Sequence, residues 1–422
     1  MQRLTSSVTG ITHKVPIARH LYNPIFDVRL RVRITTTAMK CCVCESNVWL
    51  AVSNPVEKRS ITTAGHLLNE SLSKGHCKKC GLLQRIDTAF VGESDFYEEK
   101  YAGYYGRPGA EIYDAPRYTA MADWMCAALG DFDPRSILDV GCGAGWSMVA
   151  ARKRFPRSDI EGVEPSKFNA GRARQAGFEV YSTKIGADSG LPKTYDLIYA
   201  NNVLQHVLSP IEFLIELRDY LSSKGRLVLI CPDSSRPSSE MLWVDHNYSF
   251  SPGHLVRLAE KAGFHVRSWL PNPDHATLLN KQLIVFAKGD GRHAPVKSTV
   301  RNLSPDDLYE ERSNYVKAWE TIRRVLGERV RTFSRTFNFG CSSWTWLLAG
   351  YCPEYWRKVD CCLVDQCNGA CLDKPVQPPS QVLISPGDGL TLGVNPVTQE
   401  SYARRFRSDG WQIVRWDNYV QA

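Results

Sequence analysis

A chain that reads Ile137-Leu138-Asp139-Val140-Gly141-Cys142-Gly143-Ala144-Gly145-Trp146 has few ways to fold around that run. A short apolar strand enters a turn with glycine at alternate positions, and a helix leaves it. Such glycines let the backbone turn tightly and approach a ligand without Cβ clashes. Twenty-three residues beyond Gly141 stands Glu164, at the end of a second short strand, Ile160-Glu161-Gly162-Val163. A carboxylate there can take both hydroxyls of a ribose. The spacing is GxGxG rather than GxGxxG. The longer form suits a pyrophosphate at a helix N-terminus. The shorter one, preceded by Asp139, suits a positively charged ligand without phosphate.

Two more strands follow in order, Tyr195–Asn201 leading into Asn202-Val203-Leu204-Gln205-His206, and Gly225–Pro232. Together these features resemble the class I S-adenosylmethionine-dependent methyltransferases: first motif, acidic end of the second strand, fourth strand and fifth strand. The resemblance implies an α/β fold with a Rossmann-like core. It makes Asp139, Glu164, Gly141, Gly143, Gly145 and Asn201 the cofactor-binding residues.

The chain has 422 residues, enough for two or three domains. Its net charge is +8, but residues 1–38 supply +5 of that, so the body is close to neutral. That disfavours nucleic acid as a partner. No apolar run reaches the roughly 20 residues needed to span a bilayer. Residues 1–38 read as a disordered tail or a mis-called start, with Met39 the natural beginning. Their basic, acid-poor composition is also that of a transit peptide.

Fourteen cysteines without a secretory segment fit a reducing cytosol, with thiols and a metal site. Cys41 and Cys44, then Cys77 and Cys80, form two CxxC pairs that can close a tetrahedral Zn²⁺ site. Cys42 is a spare. These pairs define a zinc-ribbon-like module. It continues into a tyrosine-rich stretch, and the whole spans 39–116. In that stretch Tyr97, Tyr101, Tyr104 and Tyr105 either meet a ligand or pack their rings on the next domain. The core domain runs from about 117 to 290. Ser209-Pro210-Ile211-Glu212 predicts a capping box, and the helix it opens runs through Leu214, Ile215 and Leu221 to a stop at Gly225. A second helix opens at Ser251-Pro252 and stops at Gly263, and Gln282–Ala287 reads as a closing strand.

A helical bridge over about 291–330 shows Tyr315, Trp319, Ile322 and Leu326 on one face. Residues 331–422 read as a second, Rossmann-like α/β domain. Its strands are expected at Thr336–Phe339, Val359–Asp365, Gln381–Ser385 and Trp411–Trp416, with helices from Trp344 and over Gln399–Phe406. Cys352, Cys361, Cys362, Cys367 and Cys371 cluster here at spacings that match no metal template.

The order of parts, a cysteine ribbon, a methyltransferase core and a C-terminal α/β domain, resembles the sugar C-methyltransferases acting on nucleotide-linked deoxysugars. That family's Glu-His pair corresponds to Asp245-His246 here, and Trp243 stands where a Tyr is usual. The resemblance implies a ketosugar acceptor, His246 as general base and Asp245 as the group that orients it. Tyr104, Tyr248 and His206 are candidate donors to an enolate oxygen. Rival readings are O- or N-methylation of a glycan, polyketide or peptide, RNA methylation, and a non-catalytic cofactor-binding module. A small-molecule substrate and a monomer or weak oligomer are expected.

Overall fold

The computed structural model describes residues 34–36, 39–87, 95–101, 110–186, 189–192, 194–295, 303–365 and 367–420. Seven strands form the central sheet: β1 (Ser136–Val140), β2 (Asp159–Val163), β3 (Glu179–Tyr181), β4 (Tyr195–Asn201), β5 (Leu221–Pro232), β6 (Phe264–Leu270) and β7 (Lys281–Lys288). Their order is β6-β7-β5-β4-β1-β2-β3. Only β7 runs antiparallel to its neighbours. From β1 the chain builds outward through β2 and β3, then returns to lay β4 and β5 on the other side. The crevice at that switch, over the carboxyl ends of β1 and β4, is where ligands of open α/β sheets bind.

The sheet is covered on both faces. Helices α1 (Ala110–Leu129) and α2 (Trp146–Arg154) bury Met121, Trp124, Met125 and Met148 on one face. Between α2 and the next helices comes α3 (Lys167–Gln175), capped by Ser166. Helices α4 (Pro210–Asp219) and α5 (Pro252–Lys261) cover the other face. Two expectations change here. Helix α4 ends at Asp219, and Leu221 opens β5, pairing with Tyr195. Gly225 is therefore a strand residue: a Cβ there would lie 2.7 Å from Leu221 Cγ and 3.1 Å from the Asp196 carbonyl oxygen. The capping box at Ser209 does not form either, because Ser209 makes no cap hydrogen bond. Helix α5 has one instead, closed by Ser251 and His254.

The N-terminal module is an antiparallel sheet ordered 34–36, 48–51, 74–77, 83–85, 248–249. Ile34–Thr36, expected within the tail, pairs with Val48–Leu50. Its last strand, Tyr248–Ser249, comes from the central domain and pairs with Leu83 and Gln84.

Helix α6 (Pro305–Arg329) buries Tyr315, Trp319, Ile322 and Leu326, as its spacing predicts. It packs beside the C-terminal sheet, ordered 369–371, 374–377, 359–363, 336–339, 389–392, 412–414. Gln381–Ser385 is not a strand. Leu383 is 86% exposed, so that run has no buried face to build on. The strand falls at Gly389–Leu392, where a Cβ on Gly389 would meet the Phe333 ring at 2.1 Å. No helix among the described residues is long and apolar enough to cross a membrane.

Candidate active site

Strand β1 delivers the chain into a turn where Gly141, Gly143 and Gly145 all have positive φ, at 73°, 55° and 85°. Side chains are strained in that region. A Cβ on Gly141 would also meet Val203 Cγ2 at 2.5 Å. Glu164 leaves β2 beside this turn. Its carboxylate accepts the Gly143 amide at 2.8 Å and the Ser166 amide at 2.9 Å. Burial pushes Glu164 up to about 7, and the two amides offset it only in part. Asp139 lies inside β1, 1% exposed, and accepts the Ser147 hydroxyl. Burial drives it up to about 7 as well. Asn201 closes β4, its amide turned toward Met121 Sδ on α1.

Gly141, Glu164 and Asn201 line a cavity of about 570 Å³. Gly143, Gly145 and Asp139 stand behind its wall and shape the turn. The cradle fits an adenosyl ligand: a carboxylate for hydroxyl donors, and at Gly141 a backbone with no room for a side chain.

The opposite wall comes from the other parts of the chain. Thr63, Tyr97 and Tyr101 arrive from the N-terminal region, and Ser343 from the C-terminal domain. His206 and His246 lie between them, ring centroids 4.7 Å apart and edge to face. Tyr97 and Tyr101 thus meet the cavity, while Phe96 packs inward. Tyr104 lies outside the described residues.

His246 is oriented by Glu240, not by Asp245. Its Nδ1 sits 3.0 Å from Glu240 Oε2 and 3.2 Å from the Glu240 carbonyl oxygen. Both partners only accept, so Nδ1 carries a proton; in the neutral ring the lone pair then sits on Nε2. Burial works against ionising Glu240, but Lys281 and the two histidines outweigh it and hold its carboxyl down at about 2.

Asp245 faces the other way, fully buried. It accepts the Thr63 amide at 2.8 Å and the Thr63 hydroxyl. Its own carbonyl lies 2.8 Å from His206 Nδ1, as does the Tyr97 hydroxyl. Burial, then the neighbouring His246, lowers His206 to about 4, so it is neutral at neutral pH. Tyr248 points out of the site: its hydroxyl donates to the Leu208 carbonyl at 2.8 Å and its ring stacks on Phe250.

Sequence reasoning missed Glu240, Lys281 and Thr63. A lysine just ahead of the apolar run Leu283–Ala287 was a signal for Lys281. Nothing local marked the other two.

Cys41, Cys44, Cys77 and Cys80 bring their four Sγ atoms within 4.8 Å of one another, and Cys42 stays outside the group. The pairs Cys41–Cys80 and Cys44–Cys77 are 3.6 and 3.5 Å apart. Thiolates around a tetrahedral zinc at about 2.3 Å would stand roughly 3.8 Å apart, so the donor set fits such an ion. Two contacts tie this cluster to the rest. His254 Nε2 lies 2.9 Å from the Cys80 carbonyl, and the buried Arg312 guanidinium donates to the Gly81 carbonyl at 2.7 Å.

A family model described as a methyltransferase domain matches residues 113–268. The malonyl-[acyl-carrier protein] O-methyltransferase of Halalkalibacterium halodurans is 35% identical over 104 residues, 23% of this chain and 38% of that protein. The tRNA U34 carboxymethyltransferase of Colwellia psychrerythraea is 32% identical over 117 residues, 25% of this chain and 35% of that protein. The match thus spans little more than a third of either relative. Among solved structures, the plantazolicin methyltransferase BpumL in complex with SAH is 17% identical. It covers 47% of this chain and 94% of its own at a TM-score of 0.34. With the strand order and the glycine turn, the family match assigns a methyltransferase domain to residues 113–268.

Proposed function

We propose that the protein methylates a carbon of a small-molecule acceptor, a nucleotide-linked deoxy-ketosugar, with His246 as general base. The reading is carried by the contact of His246 Nδ1 with Glu240 inside the cavity. The His246 ring lines the same cavity as Gly141 and Glu164. When bound, S-adenosylmethionine supplies an electrophilic methyl whose bond to sulfur breaks with its electron pair leaving on sulfur. The leaving group is good, so the chain's own work is alignment and proton removal.

Glu164 and the Gly141 turn hold the adenosyl end, and Asn201 bounds the cavity at the end of β4. His246 Nε2 takes the proton from the acceptor carbon next to a carbonyl. The electron pair of that C–H bond then forms the new bond to the methyl carbon. Glu240 stabilises the imidazolium that results, as a buried carboxylate does for a catalytic histidine. His206, held neutral, and Tyr97 line the cavity beside His246 and would face the acceptor. The ketosugar assignment is supported by the order of modules and by the Asp245-His246 segment.

A structural zinc at Cys41, Cys44, Cys77 and Cys80 completes the reading. Four protein ligands leave no open position for chemistry.

The test incubates the enzyme with methyl-labelled cofactor and a panel of nucleotide-linked ketosugars, followed by mass analysis of the product. His246→Ala is expected to lower turnover at least about tenfold while leaving S-adenosylhomocysteine affinity unchanged. Label on oxygen or nitrogen overturns the carbon assignment, and unchanged turnover removes His246 from the mechanism.

A further inference from the structure

Lys281 opens β7 and pairs with Pro232 at the carboxyl end of β5. Its side chain is 7% exposed, yet it lines the cavity. The nearest acid is Glu240, at 3.9 Å, which is too long for a hydrogen bond. Among the described residues no protein group accepts a hydrogen bond from its ammonium. A buried ammonium carries three donors and is costly to leave without acceptors.

A second cation stands on the same wall. Helix α1 packs against β7 and carries Arg117 into the cavity lining. Arg117 is mostly buried and is paired with Asp114 at 3.2 Å. Two further observations agree. Lys281 is held below the usual lysine range by burial, with Glu240 acting against that and Arg117 adding to it, so the two cations feel each other. Glu240 is already engaged by His246 at 3.0 Å.

We propose that Lys281 and Arg117 form an anion subsite in the active-site cavity, which takes a carboxylate or phosphate oxygen carried by one of the two reactants. The subsite rests on the methyltransferase reading. There the anion is either the amino-acid carboxylate of the cofactor or an anionic group of the acceptor. An ammonium facing such an oxyanion makes a charge-assisted hydrogen bond, roughly twice as strong as a neutral one.

Calorimetry on the full chain separates the cases. S-adenosylhomocysteine and 5′-methylthioadenosine, which lacks the amino-acid end, are titrated into the native protein, Lys281→Met and Lys281→Arg. Inorganic phosphate is then titrated into each S-adenosylhomocysteine complex. If the cofactor carboxylate occupies the subsite, Lys281→Met weakens S-adenosylhomocysteine about tenfold or more and methylthioadenosine less than about twofold. If the acceptor supplies the anion, both nucleosides bind as in the native protein and phosphate binding falls about tenfold. Lys281→Arg, which keeps the charge, retains native binding in either case. Native-like binding of all three ligands to Lys281→Met overturns the proposal. Equal weakening of the two nucleosides also overturns it, because the loss then belongs to the whole pocket. Failure of the native protein to bind either nucleoside would instead overturn the cofactor reading on which the subsite rests.

Discussion

Glu164, as the cofactor carboxylate proposed above, is expected to make cofactor binding a proton-linked event. Burial raises its carboxyl to about 7, against an ordinary value of 4.5. Hydroxyl donors from a ribose favour the ionised form, so binding at neutral pH expels a proton. The sign follows: the ligand selects the carboxylate, and affinity rises as pH rises through 7. Between pH 6 and pH 8 the ionised fraction climbs from about one-tenth to about nine-tenths. That corresponds to roughly a tenfold gain in affinity, about 1.4 kcal/mol. Asp139 is raised in the same direction but stands behind the cavity wall, so Glu164 carries the effect. The assay is calorimetry with 5′-methylthioadenosine, which has no group of its own titrating in this range. Repeating it in buffers of different ionisation enthalpy counts the proton. Near pH 7 about half a proton per site is expected to leave. Glu164→Gln is expected to bind weakly with no pH dependence. Flat affinity across this window, with no proton released, would refute the reasoning.

Purified protein is expected to hold about one zinc per chain. Cys77→Ser should lose it and melt the N-terminal sheet before the core, followed by metal analysis and hydrogen exchange; native protein without metal would end that claim. Thr63→Val removes the hydroxyl from the buried Asp245 carboxylate and is expected to cost about 1–3 kcal/mol in urea denaturation. An unchanged midpoint would show that Asp245 does not need Thr63.

The parts legible in the sequence were those written locally. The β1 turn is a strand, three glycines and a helix start within ten residues, and nothing distant is needed to form it. Helix α6 was equally plain, because Tyr315, Trp319, Ile322 and Leu326 repeat at helical spacing. The acceptor wall was not local. Asp245 and His246 are neighbours whose side chains diverge, so adjacency suggested a pair where the chain makes none. The true partner, Glu240, lies six residues back on a short 3₁₀ turn, Ser239–Leu242. Thr63 and Lys281 reach the site only through pairing across domains and across the sheet. Leu221 misled for a similar reason. An apolar residue two positions beyond a helix looks like more helix until its strand partner, Tyr195, is known.

Tyr248–Ser249 belongs by sequence to the catalytic half of the chain and by hydrogen bonding to the cysteine-bearing sheet. The segment with His246 is therefore basted to a neighbouring fabric two residues downstream. Trimming the protein to residues 113–268 would strip away Leu83 and Gln84 and leave an open strand edge at the rim of the reaction chamber. Thr63, Tyr97 and Tyr101 line the cavity from that side, so exchanging the N-terminal module would change the wall facing His246 while leaving Gly141 and Glu164 in place.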